Sequence, residues 1–135
     1  MNAHRPLIVR TFARAFARLC LRPRLAAPVL GALAACGFEP LHLWPLTLLA
    51  VAGLIVLIAR APSWREAALI GWLWGVGHFC LGNNWIATAF TYQAAMPVWL
   101  GWIAVFMLSL FLAIYPAMAA AAAVHGHFVD VRAFA

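Results

Sequence analysis

The stretch GWLWGVGHFCLGNNWIA, residues 71–87, places a histidine, a cysteine and two asparagines inside one of the most apolar parts of the chain. On an α-helix, residues three and four apart share a face, so one face carries Gly71, Gly75, His78, Gly82 and Trp85. A row of glycines lets a second helix approach closely, and helices inside a membrane associate largely through such contacts. We therefore predict a helix-packing face made of Gly71, Gly75, His78 and Gly82.

His78 is the only His, Asp, Glu or Arg in this predicted helix, residues 67–90. It lies about ten residues, roughly 15 Å, from the helix start. An ionisable group at such a depth in a membrane is by default a candidate for function. A neutral imidazole that is hydrogen-bonded to a carbonyl of a neighbouring helix satisfies the same physics. Because no second acid or histidine is present to form a pair, the packing role is favoured.

The composition indicates a membrane protein rather than a soluble domain. Hydrophobic residues make up 67% of the chain and charged residues 9%, which is too few charges for the surface of a soluble domain. The apolar residues also occur in long runs. The predicted fold class is all-α: a polytopic membrane protein with four transmembrane helices, arranged as two antiparallel hairpins and preceded by a basic amphipathic segment.

The chain divides into three predicted domains: a basic segment over residues 1–24, a four-helix membrane domain over residues 25–124 and a cytoplasmic tail over residues 125–135. The helices are expected at residues 25–38, 46–59, 67–90 and 98–124. Pro40 and Pro45 break the helix within the first hairpin. Ser63 is suited to cap the third helix, and Pro116 is expected to kink the fourth.

Arginine placement predicts the orientation. All nine basic residues are arginines, and six of them lie in the first 24 positions. Residues 8–20 are predicted to form an amphipathic helix in the membrane interface, where arginines face anionic lipid in preference to the alternative, a nucleic acid. If both termini are cytoplasmic, all nine arginines lie inside, as the positive-inside rule favours. Arginine placement therefore predicts a multi-pass protein with both termini in the cytoplasm.

Five residues are candidates for contact with lipid or substrate. Glu39 and His42 are the only acid–base neighbours in the chain, and Trp44 follows them in the same outer turn. Asn84 and Trp85 lie near the outer end of the third helix, where amphipathic side chains meet headgroups and water. Solvated loop residues are the alternative interpretation for Glu39 and His42.

No catalytic, metal or cofactor site is predicted. The chain has three cysteines in apolar surroundings that form no metal-binding spacing, Cys20, Cys36 and Cys80. Cys80 shares a helix face with Gly77 rather than with His78, so no base lies beside it to form a thiolate. The HGH motif at residues 125–127 is too unspecific to indicate a metal site.

The motif LAAC, residues 33–36, gives a separate alternative. It follows a positively charged segment and a short apolar run, as in a bacterial lipoprotein signal peptide, where cleavage before Cys36 would leave lipid on that cysteine. A lipoprotein normally continues into a soluble domain, whereas three more apolar segments follow here. We therefore expect the first helix to stay attached.

Two motifs, GFEPLHLWPL at residues 37–46 and GWLWGVGHFCLGNNWIA at residues 71–87, are followed by an MP turn and a long apolar segment. In this order they resemble the N-terminal membrane region of bacterial apolipoprotein N-acyltransferases, over residues 31–123. The resemblance implies a plasma-membrane enzyme that moves an acyl chain from phospholipid to the N-terminal diacylglyceryl-cysteine of a lipoprotein. In that family the transfer proceeds through a cysteine thioester in a periplasmic nitrilase-like domain.

The resemblance carries no catalytic residue onto this sequence, because the family's glutamate, lysine and cysteine lie in the nitrilase-like domain. We expect the chain to stop before that domain, to provide the membrane scaffold and to be inactive alone. Its expected partners are membrane phospholipid, a lipoprotein substrate and a separate catalytic domain, with no nucleic acid. The alternative is a small non-enzymatic helical membrane protein that acts as a packing partner.

Overall fold

The computed structural model of the chain describes residues 22–38, 41–92 and 97–133. Every regular element in these ranges is an α-helix, as the sequence predicts. The amphipathic helix predicted over residues 8–20 lies outside the described residues. So do Glu39, Pro40 and the turn around Gln93.

Six helices follow one another along the described chain: α1 Pro23–Ala35, α2 Trp44–Ala59, α3 Trp64–Gly82, α4 Asn84–Thr91, α5 Val98–Leu112 and α6 Ile114–Ala133. The first two agree with the predicted helices to within three residues at each end.

Prolines and one serine determine where the first three helices begin. Pro23 and Pro45 lie in the first turns of α1 and α2, where a missing N–H costs no helical hydrogen bond. Ser63 precedes α3, and its Oγ accepts a hydrogen bond from the backbone N–H of Glu66 at 3.3 Å. The predicted cap at Ser63 is confirmed.

The third predicted helix is interrupted. α3 ends at Gly82 and α4 begins at Asn84, with Asn83 between them at φ −100° and ψ 13°. Glycine and asparagine are weak helix formers, and an asparagine side chain competes with the backbone for hydrogen bonds. The prediction of one continuous helix over residues 67–90 is therefore wrong.

The fourth predicted helix is also divided. α5 ends at Leu112 and α6 begins at Ile114. Pro116 lies in the first turn of α6 and has no N–H to donate to the carbonyl of Leu112, four residues earlier. Where a kink was expected, the structure has a one-residue interruption at Ala113, about one turn before the proline. α6 then runs on to Ala133, so the end predicted at residue 124 is wrong.

α3 lies at the centre of the bundle and contacts α1, α2, α5 and α6, most extensively α1 and α6. α1 and α3 begin at the same end, where Arg24 pairs with Glu66. α2 finishes at this end with Arg60, and Trp64 lies there beside α6. We call it the arginine end, defined by Arg24, Arg60 and Arg65, and we call the opposite end the far end.

Small side chains form much of the core, which allows the helices to lie close together. The central cluster consists of Ala26, Ala27, Leu30, Ala34, Ala50, Leu57 and Ile70. Many large apolar side chains face outward instead, among them Leu49 and Phe111, each 61% exposed. An outer surface of this kind is unusual for a monomer in water and suits contact with lipid or with another protein.

By length and composition, one described stretch is able to cross a membrane: Trp99–Gly126, with 28 residues, of which an 18-residue part has a mean hydropathy of 2.2. α1 and α2 are apolar but contain 13 and 16 residues, fewer than the roughly 20 of a full span. The arrangement as four transmembrane helices in two antiparallel hairpins therefore stays a prediction.

Candidate functional site

The predicted glycine face brings α3 against the α5–α6 break. A Cβ atom added at Gly75 would lie 2.7 Å from Cγ of Pro116 and 2.9 Å from Cα of Ala113. One added at Gly71 would lie 2.9 Å from Cβ of Ala120. These spacings are shorter than carbon atoms tolerate, so neither glycine has room for a side chain.

A second glycine contact lies on the side of α3 that faces α1. A Cβ atom at Gly77 would overlap the carbonyl oxygen of Pro28, and one at Gly31 would overlap that of Trp74. The sequence analysis placed Gly77 on a different face from the predicted packing residues and did not single out Gly31. A glycine in an apolar helix indicates close packing with another helix, but it does not indicate which helix lies opposite.

Gly82 departs from the predicted face. A Cβ atom added there would meet none of the described residues within 4 Å. Gly82 is exposed at the last position of α3. None of the described residues packs against Gly82, so its packing role stays a prediction.

His78 lies between α3 and α1. Its Nδ1 is 3.3 Å from the carbonyl oxygen of Gly31, and because a carbonyl only accepts, this hydrogen bond requires a proton on Nδ1. The imidazole stacks on Trp74, with centroids 4.9 Å apart, and meets Phe38 and Phe79 edge-on at 5.8 Å and 5.2 Å. The described contacts of the imidazole are thus one carbonyl oxygen and three aromatic rings. Such contacts hold the side chain of His78 in place.

Trp74 was not anticipated as part of this cluster. It is one helical turn before His78, a spacing that brings side chains together. Its Nε1 is buried without a hydrogen-bond partner among the described residues. By contrast, Trp72 donates from Nε1 to the carbonyl oxygen of Leu110 at 3.3 Å and so ties α3 to α5 just before the break.

Four of the five predicted contact residues lie within the described residues, and all four are at the far end. Trp44 and Trp85 are 66% and 64% exposed, at the starts of α2 and α4. Asn84 is exposed beside Trp85. His42 has a φ of 50°, a left-handed conformation that is uncommon outside glycine and that shapes the turn before α2. Exposed tryptophans at one end of a helix bundle suit a membrane interface.

A bidentate ion pair joins the starts of α1 and α3 at the arginine end. Arg24 donates from Nε to Oε1 of Glu66 at 3.0 Å and from Nη2 to Oε2 at 2.9 Å. The hydrogen bond from Arg24 lowers the pKa of the Glu66 carboxyl, and the same pair raises the pKa of Arg24. The sequence analysis did not connect these residues, which are 42 positions apart.

The described residues show no arrangement for thiol or metal chemistry. Cys36 donates weakly from Sγ to the carbonyl of Ala32 in its own helix, at 3.5 Å. Among the side chains that the structure describes, no three of His, Cys, Asp or Glu gather in a way that could hold a metal ion. His125 lines a shallow depression with Trp64 and small side chains of α6.

Residues 30–135 match a family model described as the apolipoprotein N-acyltransferase N-terminal domain. The matched part begins in α1 and includes the later helices. It therefore contains the contact glycines of α3 and the exposed tryptophans of the far end.

Individual relatives carry the same name. The chain is 37% identical over 102 residues to the apolipoprotein N-acyltransferase of Ralstonia nicotianae, covering 73% of this chain and 20% of that protein. Identity to the Vibrio cholerae protein is 34% over 98 residues, covering 73% and 19%. For the Chromobacterium violaceum protein it is 35% over 95 residues, covering 70% and 18%. The chain thus spans about a fifth of the length of these relatives.

Proposed function

The chain belongs to the family of apolipoprotein N-acyltransferase N-terminal domains, and we propose that it forms the membrane scaffold of such an acyltransferase. In this role its helices position a phospholipid donor and a lipoprotein acceptor beneath a catalytic domain of the nitrilase type. The acyl chain passes from the phospholipid to the N-terminal amine of the diacylglyceryl-cysteine. The family match over residues 30–135 is the observation that carries this proposal.

The packing of the bundle supports a scaffold role. On two sides of α3 the backbone of another helix lies close, at Ala113 opposite Gly75 and at Pro28 opposite Gly77. Contacts made by backbone rather than by flexible side chains leave little freedom for the helices to shift. Such a bundle is able to hold the outward-facing groups of its ends in constant positions.

The proposed orientation places the arginine end in the cytoplasm and the far end at the outer surface. A four-pass arrangement in the inner membrane leaves two outer turns, one before α2 and one after α4. It also places all the arginines on the cytoplasmic side, as the positive-inside rule favours. Glu39, His42, Trp44, Asn84 and Trp85 then belong to the outer end. We propose that these residues contact lipid headgroups or the substrate on the side where acyl transfer takes place.

A chimera tests the scaffold proposal. In the Ralstonia nicotianae relative, the region aligned with this chain is replaced by residues 30–133 of this chain. We expect the chimera to enter the membrane and to N-acylate a diacylated lipopeptide, because the helices support the remainder of the enzyme as its own do. The measurement is the mass of the lipopeptide after incubation with phospholipid.

A matched control carries Gly75→Leu within the same transplanted region, since a large side chain cannot fit between α3 and Pro116. We expect this variant to lose most of the acylation given by the parent chimera. A chimera that inserts normally but leaves the lipopeptide unmodified contradicts the scaffold proposal.

A further inference from the structure

A cavity of about 420 Å³ opens at the arginine end between the end of α2 and the starts of α1 and α3. Its charged lining consists of Arg24, Arg60 and Glu66. Its apolar lining includes Leu57 and Ile70, which are 2% and 1% exposed and form the floor. We call this cavity the basic groove.

The charges of the basic groove do not cancel. Arg24 uses two nitrogens to bond both oxygens of Glu66, which is the only acidic side chain that the structure describes. Arg60 is exposed, and its guanidinium has no hydrogen bond or ion pair to any residue within the described ranges. Among the described side chains, the guanidinium of Arg60 is therefore left without a counterion beside an apolar floor.

A ligand that fits both features carries a negative group joined to hydrocarbon. A guanidinium binds phosphate oxygens strongly because its N–H donors match their geometry. The floor is formed by the apolar side chains of Leu57 and Ile70. Burying an acyl chain against such side chains is favourable, because it removes hydrocarbon from water. Trp64 is 48% exposed at the same end, and tryptophan is enriched where headgroups begin.

We propose that the basic groove binds an anionic phospholipid, with its phosphodiester on Arg60 and the upper part of an acyl chain against Leu57 and Ile70. A zwitterionic lipid fits less well, because its ammonium group needs a carboxylate and both oxygens of Glu66 are already bonded to Arg24. This inference rests on the membrane insertion contained in the proposed function. It places a lipid at the end of the bundle opposite the one assigned to acyl transfer.

The test uses the purified 135-residue chain in neutral detergent. Phosphatidylglycerol or phosphatidylcholine with the same acyl chains is added, and bound lipid is counted by native mass spectrometry. We expect the chain to retain phosphatidylglycerol preferentially. Replacing Arg60 with glutamine lowers the apparent affinity of the chain for phosphatidylglycerol about fivefold, which is the effect of one basic residue at a membrane surface. Arg60→Lys restores part of the loss, because it returns the charge without the planar donors.

Arg65→Gln is the matched control, because Arg65 lies over the ring of Trp64 at 5.4 Å and does not line the basic groove. Equal losses for Arg60→Gln and Arg65→Gln overturn the proposal, since they mean a general basic surface. So does retention of phosphatidylcholine as strong as that of phosphatidylglycerol. Competition by glycerol phosphate, which has no acyl chains, also overturns it by showing a phosphate site.

Flotation with vesicles of phosphatidylcholine separates this inference from the proposed function. A chain that does not float with the vesicles contradicts the membrane scaffold itself. A chain that floats but shows no dependence on Arg60 contradicts only the lipid in the basic groove.

Discussion

Gly77 illustrates how a single atom limits the approach of two helices. The carbonyl oxygen of Pro28 occupies the space that a Cβ atom on Gly77 would take. Pro28 lies inside α1 and has no N–H of its own, which leaves that segment of α1 with one fewer internal hydrogen bond. Contact with α3 is therefore one source of the stability that α1 needs at this point.

We predict that Gly77→Ala destabilises the folded bundle by about 1–3 kcal/mol, the usual cost of an overpacked site. The added methyl group meets backbone rather than a movable side chain, so the helices must separate to accept it. The measurement is thermal unfolding in detergent, followed by helical circular dichroism.

Gly82→Ala is the control, because a Cβ atom there meets none of the described residues. The same change from glycine to alanine gains up to about 1 kcal/mol of intrinsic helix propensity at either position. We therefore expect Gly82→Ala to unfold at the same or a higher temperature than the unaltered chain. A loss of stability equal at both glycines means that the contact with Pro28 does not limit the packing.

Glu66 gives a prediction about pH at the residue scale. Its carboxyl, outside the predicted spans, has a pKa lowered from 4.5 because Arg24 bonds the charged form. A lowered folded-state pKa contributes stability that is present above the unfolded value and is lost as the pH falls through the folded value. The contribution is modest because the pair is exposed to solvent.

We expect Glu66→Gln to lower the unfolding temperature slightly at neutral pH and to make no difference well below the ordinary pKa of 4.5. Unfolding in detergent at a series of pH values measures this, and added salt should shrink the difference at neutral pH. If the two proteins differ equally at every pH, the carboxylate charge is not the cause.

At the scale of the helices, chain-breaking residues divide two of the four predicted helices into shorter ones. The segment expected to be kinked at Pro116 is interrupted for one residue, Ala113, with α5 ending at Leu112 and α6 starting at Ile114. Gly82, Asn83 and Asn84 likewise divide the third segment. The sequence alone does not predict such an interruption, because packing against neighbouring helices decides whether a weak helical turn forms.

Ser63 supports a prediction about the start of α3. Its Oγ accepts from the N–H of Glu66, one of the donors that has no partner inside the helix. Ser63→Ala should cost about 1 kcal/mol of stability, whereas Ser63→Asp should keep the cap because aspartate also accepts this bond. Chemical denaturation in detergent compares the three proteins. Equal stability of Ser63→Ala and the unaltered chain would contradict a working cap.

For the whole molecule, the ends of the bundle predict which residues reach each side of a membrane. Single cysteines are introduced at Pro62, exposed at the arginine end, and at Tyr92, which is 85% exposed after α4. The background lacks Cys20, Cys36 and Cys80. An impermeant maleimide added to intact cells should label the cysteine at Tyr92 and not the one at Pro62, because the arginines hold their end in the cytoplasm.

Permeabilised cells provide the control, since both cysteines should then react. Labelling at Pro62 but not at Tyr92 in intact cells would reverse the proposed orientation. Labelling at both would contradict the number of crossings between them.

The sequence by itself determined the helical class and where several helices begin. These features depend on local signals: periodic apolar residues, prolines near the helix starts and the cap at Ser63. Because each acts within a few residues, it can be recognised from the sequence without knowledge of the fold. It also indicated that glycines of α3 suit close contact. The glycine contacts at Gly71 and Gly75 are consistent with this, although their partner Pro116 was not foreseen.

Only the tertiary structure decided which surfaces meet. Gly77 faces Pro28, His78 bonds the carbonyl of Gly31, and Arg24 joins Glu66 across 42 positions. Each of these depends on which helices are neighbours and how each is rotated about its axis. The periodicity of one helix shows that a face exists but not what lies opposite it. That is settled by all the helices packing together, because the close backbone contacts are mutually dependent.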